Sequence, residues 1–187
     1  MQGALRLARS NYPICCIVIM KHVKLSKRLQ AIADLIDDGA SVADIGTNHG
    51  LLPIYLAQTG TAKKIIAADI SPASLNAARL NVCQTTLDLN TAPKSNMTST
   101  ITFLVTPGLN GIDPEEIDTI IIAGMGAETI VDILDNASWI KEQKTKLILQ
   151  PQSKIYILFR FLYNNGHKIR EIKYVQDRGK RYVVVLV

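Results

Sequence analysis

Apolar and polar positions follow two rhythms along this chain, one helical and one strand-like. From Lys24, "LSKRLQAIADLI" sets Leu25, Leu29, Ile32, Leu35 and Ile36 at helical spacing, with Arg28 and Asp34 among its polar positions. It predicts a helix that Asp37-Asp38-Gly39 stops. "VADI" (42–45) is a short apolar run of the buried-strand type, and "GLLPIYLAQ" (50–58) predicts a helix with Pro53 tolerable only in its first turn. "KIIAADI" (64–70) is a second strand. "SPASLNAARLNVCQ" (71–84) opens with Ser71 as N-cap and Pro72 at the first helical position, a strong start signal. The polar "TTLDLNTAPKSNMTST" (85–100) reads as a mobile loop. Strands follow at 101–105, 118–123 and 146–150, with helices at 128–140 and 153–166, the latter ending at Gly166. "HKIREIKYV" and "KRYVVVLV", separated by Gln176-Asp177-Arg178-Gly179, read as a hairpin.

Five strands alternating with helical crossovers imply a mostly parallel sheet with right-handed connections. The closing hairpin breaks that alternation. It points to an α/β, Rossmann-like class I methyltransferase sheet of seven strands with a C-terminal antiparallel hairpin.

Composition narrows the setting. With 187 residues, 48% apolar and 20% charged, the chain has the length and balance of one globular domain. Cys15, Cys16 and Cys83 are odd in number and lack C-x-x-C spacing, which points to a reducing compartment without a disulfide framework or a metal site. "ICCIVIM" (14–20) is about a third of a membrane span and lacks a cleavage site, so the expected setting is cytoplasmic, with no membrane partner. The net charge of +5 is uneven: residues 1–28 hold six Lys/Arg and no acid, residues 29–140 are acidic, and residues 141–187 hold eleven Lys/Arg against three acids. A basic face forms if the two ends meet, and such a face attracts a polyanion. A solvated face with no partner explains the charge equally well.

The candidate chemistry gathers at "VADIGTNHG" (42–50), where a strand runs into a turn holding Asp44, Gly46, His49 and Gly50. In a doubly wound sheet, ligands sit beyond the carboxyl ends of the strands. A dinucleotide pyrophosphate wants G-x-G-x-x-G, whereas this turn has Gly46 and Gly50 with Asn48-His49 between them. S-adenosylmethionine carries no phosphate and welcomes an acid near its ammonium, the role Asp44 fits. Asp69 closes the second strand about 20 residues on, the spacing at which a carboxylate binds ribose hydroxyls. His49 also admits a purely structural reading, and Trp139 is expected to pack the helix after the fourth strand.

"KLSKRLQAIADLI", "ADIGTNHGLLPIYLA", "IIIAGMGAETIVDIL", "LILQPQ" and "DRGKRYVVVLV" together resemble the bacterial tRNA (adenine-22-N1) methyltransferase family, often called TrmK, from about Lys24 to the end of the chain. The resemblance implies S-adenosylmethionine as methyl donor and tRNA, not DNA, as acceptor. It implies Arg28, Asp44, Gly46, His49, Asp69, Ile70, Gly108, Gly124, Met125, Gly126, Gln150 and Pro151 as cofactor-binding residues. Asn48, His49 and Met125 are the implied catalytic group, with Gln150 and Pro151 near the acceptor base. "AGMGAE" stands where an N-P-P-Y-like clamp for exocyclic amines would be, which suits a ring nitrogen that has its own lone pair.

Three features depart from the family pattern. Asn48 replaces a common Asp, Thr106-Pro107 replaces an acid-bearing turn, and the family's helical C-terminal extension has no counterpart before Val187. A non-catalytic or divergent cofactor- or RNA-binding remnant and a small-molecule methyltransferase of the same fold are the competing readings. Residues 1–23 match nothing in the resemblance, so the domain is expected to span 24–187, with Met20 as the expected initiator.

Overall fold

The computed structural model of the chain describes residues 22–86 and 100–187. The apolar stretch 14–20, the Met20 start and most of the polar segment 85–100 lie outside the described residues. The strands are β1 (Ala40–Ile45), β2 (Ala62–Asp69), β3 (Thr100–Val105), β4 (Thr119–Met125), β5 (Lys146–Pro151), β6 (Glu171–Asp177) and β7 (Lys180–Leu186). The helices are α1 (Lys27–Ala33), α2 (Leu51–Thr59), α3 (Pro72–Thr86), α4 (Ala127–Asp135) and α5 (Ile155–Asn164).

One seven-stranded sheet takes the order β3-β2-β1-β4-β5-β7-β6. β1 to β5 are parallel, and β7 enters antiparallel between β5 and β6. The sheet is therefore the expected mostly parallel, Rossmann-like one with its antiparallel hairpin. Central β4 shows why its sequence is an unbroken apolar run. Ile120, Ile121 and Ile122 are all fully buried, because helices cover both faces of the sheet. Ile120 and Ile122 face α4 and α5 with Ile130, Leu158 and Leu162, whereas Ile121 faces α1 and α2 with Ile32 and Leu56. Among the described residues, no helix is long and apolar enough to cross a membrane.

Several ends differ from the sequence pattern, each for a local reason. α1 stops at Ala33, and Leu35 and Ile36 reach the core through tight turns onto Ile32 and Ala33. α4 stops at Asp135, where the Asn136 side chain donates to the Asp132 carbonyl at 2.7 Å, and a short 3₁₀ turn (Ser138–Lys141) carries the rest of the predicted helix. β6 runs on to Asp177, leaving a two-residue loop in which Arg178 (φ 49°) and Gly179 (φ 77°) both take the positive φ that a type I′ turn requires.

Candidate functional site

β1, β2, β4 and β5 all end on one edge of the sheet, so Ile45, Asp69, Met125 and Pro151 close their strands side by side. After β1 the chain turns back on itself: Gly46 and Thr47 donate their N–H groups to the Ala68 carbonyl at 2.8 and 3.0 Å, tying the turn to the end of β2. Gly46 (φ 73°) lies under the Met125 methyl, which a Cβ there would strike. Gly50 has a different task, because a Cβ there would come within 2.8 Å of the Ala78 side chain on α3.

Asp69 is held by the turns on either side of it. One carboxylate oxygen accepts the Asn48 N–H at 3.0 Å and the other accepts the Ser71 N–H at 2.9 Å. Asn48 reaches that position with φ 53°, in the left-handed region.

Asp44 is buried, and burial pushes its carboxyl up from 3.8 to about 6, with Asp69 adding to the rise and Arg28 opposing it. The Thr47 hydroxyl lies near enough to favour the Asp44 carboxylate. No partner meets full hydrogen-bond geometry to that hydroxyl, so it is a buried, uncommitted polar atom beside the acid.

Arg28 enters from α1. Its guanidinium donates to Gln150 Oε1 at 2.7 Å and lies over the Tyr182 ring at 5.7 Å, while its backbone N–H donates to Asp177 at 3.3 Å. Gln150 is fully buried and turns its amide N–H to the Pro151 carbonyl at 2.8 Å. The site end of α1 is thus pinned to both β5 and the terminal hairpin.

Two cavities flank Gly46. The larger, about 640 Å³, runs from Gly46, Asp69 and Ile70 past Pro107 and Gly108 to Met125 and Trp139. The smaller, about 220 Å³, is lined by Arg28, Asp44, Thr47, Asn48, His49, Gly124 and Gln152 among others. One is broad and largely apolar; the other is narrow and holds a buried acid and a guanidinium.

Residues 25–185 match a family model described as a methyltransferase domain. The tRNA (adenine(22)-N(1))-methyltransferase of Bacillus subtilis is 34% identical over 89% of this chain and 66% of its own length. A putative tRNA methyltransferase of Mycoplasma pneumoniae is 32% identical over 87% of this chain and 71% of its own. The structure of M. capricolum TrmK in complex with S-adenosyl-homocysteine superposes with a TM-score of 0.72 at 30% identity, covering 88% of this chain and 68% of that one. The chain belongs to the methyltransferase-domain family, in its TrmK branch. It spans about two thirds of the length of these relatives.

Within this TrmK-branch fold, Arg28, Asp44, Gly46, Asn48, His49, Asp69, Ile70, Gly108, Gly124 and Met125 are brought together around the two cavities. Three of the expected residues do not line them. Gln150 and Pro151 are buried, with Gln150 spent on holding Arg28, and Gly126 forms the N-cap of α4. Asn48 and His49 are both exposed, and the described contact of His49 is its carbonyl accepting the Asn81 side chain at 2.9 Å. Trp139 lines the larger cavity, a role beyond packing α4. Sequence reasoning missed Thr47, Gln152 and Tyr182. Thr47 and Gln152 sit inside the "ADIGTNHG" and "LILQPQ" motifs, whose position at strand ends is a usable signal, whereas Tyr182 depends on the hairpin register and carries no local signal.

Proposed function

We propose that this chain is an S-adenosylmethionine-dependent methyltransferase that modifies N1 of an adenine in tRNA, in the cytoplasm. The observation that carries the reading is the pair of unlike cavities meeting at Gly46. The smaller sets the Asp44 carboxylate and the Arg28 guanidinium around one space, the charge pattern that complements an amino-acid zwitterion. The larger presents Asp69 to ribose hydroxyls and an apolar wall, including the 72% exposed Ile70, to a purine. The Thr47 hydroxyl, with no partner at full hydrogen-bond geometry, leaves hydrogen-bonding capacity in the smaller cavity, and the Cβ-free Gly46 lets the Met125 methyl close down on the turn where the two meet. The residues present fit the cofactor. When bound, it supplies an electrophilic methyl group on a sulfonium.

The rest of the work is positioning. Asp44 would hold the ammonium, Arg28 would face the carboxylate, and Gly46 with Met125 would set the floor between the halves. Adenine N1 would take the methyl through its own lone pair while the methyl–sulfur bond breaks and its electron pair stays on sulfur, so no side chain has to remove a proton first. Orientation then supplies the rate, with effective molarities reaching about 10⁵–10⁸ M for well-placed partners. A base in folded RNA must also leave its stack, at a cost of a few kcal/mol.

Support for tRNA as acceptor comes from the rim. α1 packs against β6, so the exposed Lys24 and Lys27 belong to the same end of the molecule as the hairpin turn with Arg178, Lys180 and Arg181. Incubation with methyl-labelled S-adenosylmethionine and unmodified tRNA is expected to transfer label to the RNA. Binding of the cofactor without any transfer would favour the non-catalytic remnant.

A further inference from the structure

Three exposed tyrosines lie on one side of the molecule. Tyr156 and Tyr163 stand seven residues apart on α5 with Arg160 between them, at helical spacing that puts all three on one stripe. Buried Leu158 and Leu162 turn that stripe away from the core. On β6, Tyr174 pairs with Val183 and Ile172 with Val185, both of which pack with the α5 leucines; Tyr174 therefore rises on the same side of the sheet as α5. The exposures are 63% for Tyr156, 83% for Tyr163 and 82% for Tyr174. A single exposed aromatic would be unremarked, but three on one side, interleaved with cations, form a patch.

On α5 and on the α5-facing positions of β6 the charge is one-signed, and the acids of this side, Glu128, Asp132 and Asp135, belong to the neighbouring α4. α5 contains no acid. The segment after it has two, Glu171 and Asp177, and alternation along β6 puts both on the opposite, α1 side, where Lys173 and Arg28 engage them. The neighbouring Glu128 of α4 is paired with Lys154 at 2.7 Å. Among the described residues, Arg160 and Arg181 on the tyrosine side form no ion pair with these acids.

We infer that the outer face of α5 and the adjoining edge of β6 form a platform for unpaired RNA bases, with Tyr156, Tyr163 and Tyr174 stacking on bases and Arg160 on a phosphate. The inference rests on the tRNA reading above and adds where the RNA lies. Charge complementarity selects a polyanion, and exposed aromatic faces select unpaired bases, whose rings are free to stack. Position fits as well: α5 starts four residues after Pro151, so Tyr156 is in the first turn of the helix, at the end that follows from the site's strand ends, and Tyr163 lies about 10 Å farther along the helix. RNA that delivers a base to the site from this side crosses the tyrosines on its way.

The test measures affinity of the full chain for unmodified tRNA by fluorescence anisotropy over a range of salt, beside calorimetry with S-adenosylmethionine. Tyr156→Ala, Tyr163→Ala and Tyr174→Ala should each weaken tRNA binding about fivefold or more with the salt slope unchanged, and the Phe variants should keep wild-type affinity. Arg160→Ala should lower the slope by about one phosphate contact. Cofactor affinity and thermal midpoint should stay at wild-type values throughout. A triple Ala variant with intact cofactor binding and unchanged tRNA affinity would overturn the platform while leaving the tRNA reading standing. Unchanged tRNA affinity with a shift from dimer to monomer in sedimentation would also overturn it, reassigning the patch to a second copy of the chain. Failure of the wild-type chain to bind tRNA would instead overturn the tRNA reading itself.

Discussion

Asp44 combines a cost to stability with a use in binding. Its carboxyl prefers the protonated form in the folded chain, with a value near 6 against 3.8, so unfolding releases a proton between about pH 4 and 6. The stability this group contributes is present below the lower value and is lost as pH rises through the higher one, a penalty of about 3 kcal/mol at neutral pH. Asp44→Asn should accordingly raise the thermal midpoint at pH 7 by several degrees while abolishing cofactor binding, read by scanning calorimetry and titration on the same sample. A ligand ammonium needs the carboxylate, so wild-type affinity for S-adenosylmethionine should be flat above pH 6 and fall about tenfold per unit below it. Gly46→Val, which strikes the Met125 methyl, and Asp69→Ala, which frees the Asn48 and Ser71 N–H groups, should each cut that affinity at least tenfold by calorimetry. The placement of Asp44, Gly46 and Asp69 at the carboxyl ends of β1 and β2 was legible in the sequence because each stands where an apolar strand pattern runs out. The burial of Gln150 was not legible, since a glutamine after an apolar run reads the same whether it meets solvent or an arginine.

Elements were legible in kind and less so in extent. Ser71 does cap α3, accepting the Ser74 N–H at 3.3 Å, and Pro72 begins it, because local chemistry alone decides such a start. The ends of α1 and α4 moved because apolar periodicity continues into 3₁₀ and tight turns that still bury their side chains, so burial and helicity part company there. The first hairpin strand moved along the chain, losing 167–170 and gaining Gln176 and Asp177, because pairing continues to Asp177 with Lys180, where the Asp177 carboxylate also accepts the Arg28 N–H of α1. That hairpin also carries Arg178, Lys180 and Arg181 to the rim of the site. If these side chains neutralise phosphates, reversing all three charges should flatten the salt dependence of tRNA binding by about two to three units of slope and leave cofactor affinity unchanged. A filter-binding series between low and high salt reads both the slope and its loss.

At the level of the whole molecule, the parallel sheet and its antiparallel ending followed from the order of strand and helix patterns, but the insertion of β7 between β5 and β6 did not. That insertion depends on long-range pairing of Ile148 with Leu186 and Leu149 with Val185, which no local pattern records. It brings Tyr182 under Arg28 and joins α1 to the turn end of the terminal hairpin at the site. The two cavities, the basic rim and the closing hairpin are therefore one assembly, built from the same few contacts. Methyl transfer to an unmodified tRNA transcript probes that assembly as a whole. It is located by reverse transcription, because a methyl on adenine N1 blocks the pairing edge and stops the copy. The expected result is a stop at an adenine that requires both the chain and S-adenosylmethionine and disappears when that adenine is replaced by guanine. Absence of methyl uptake, or uptake confined to bases other than adenine, would contradict the proposed function.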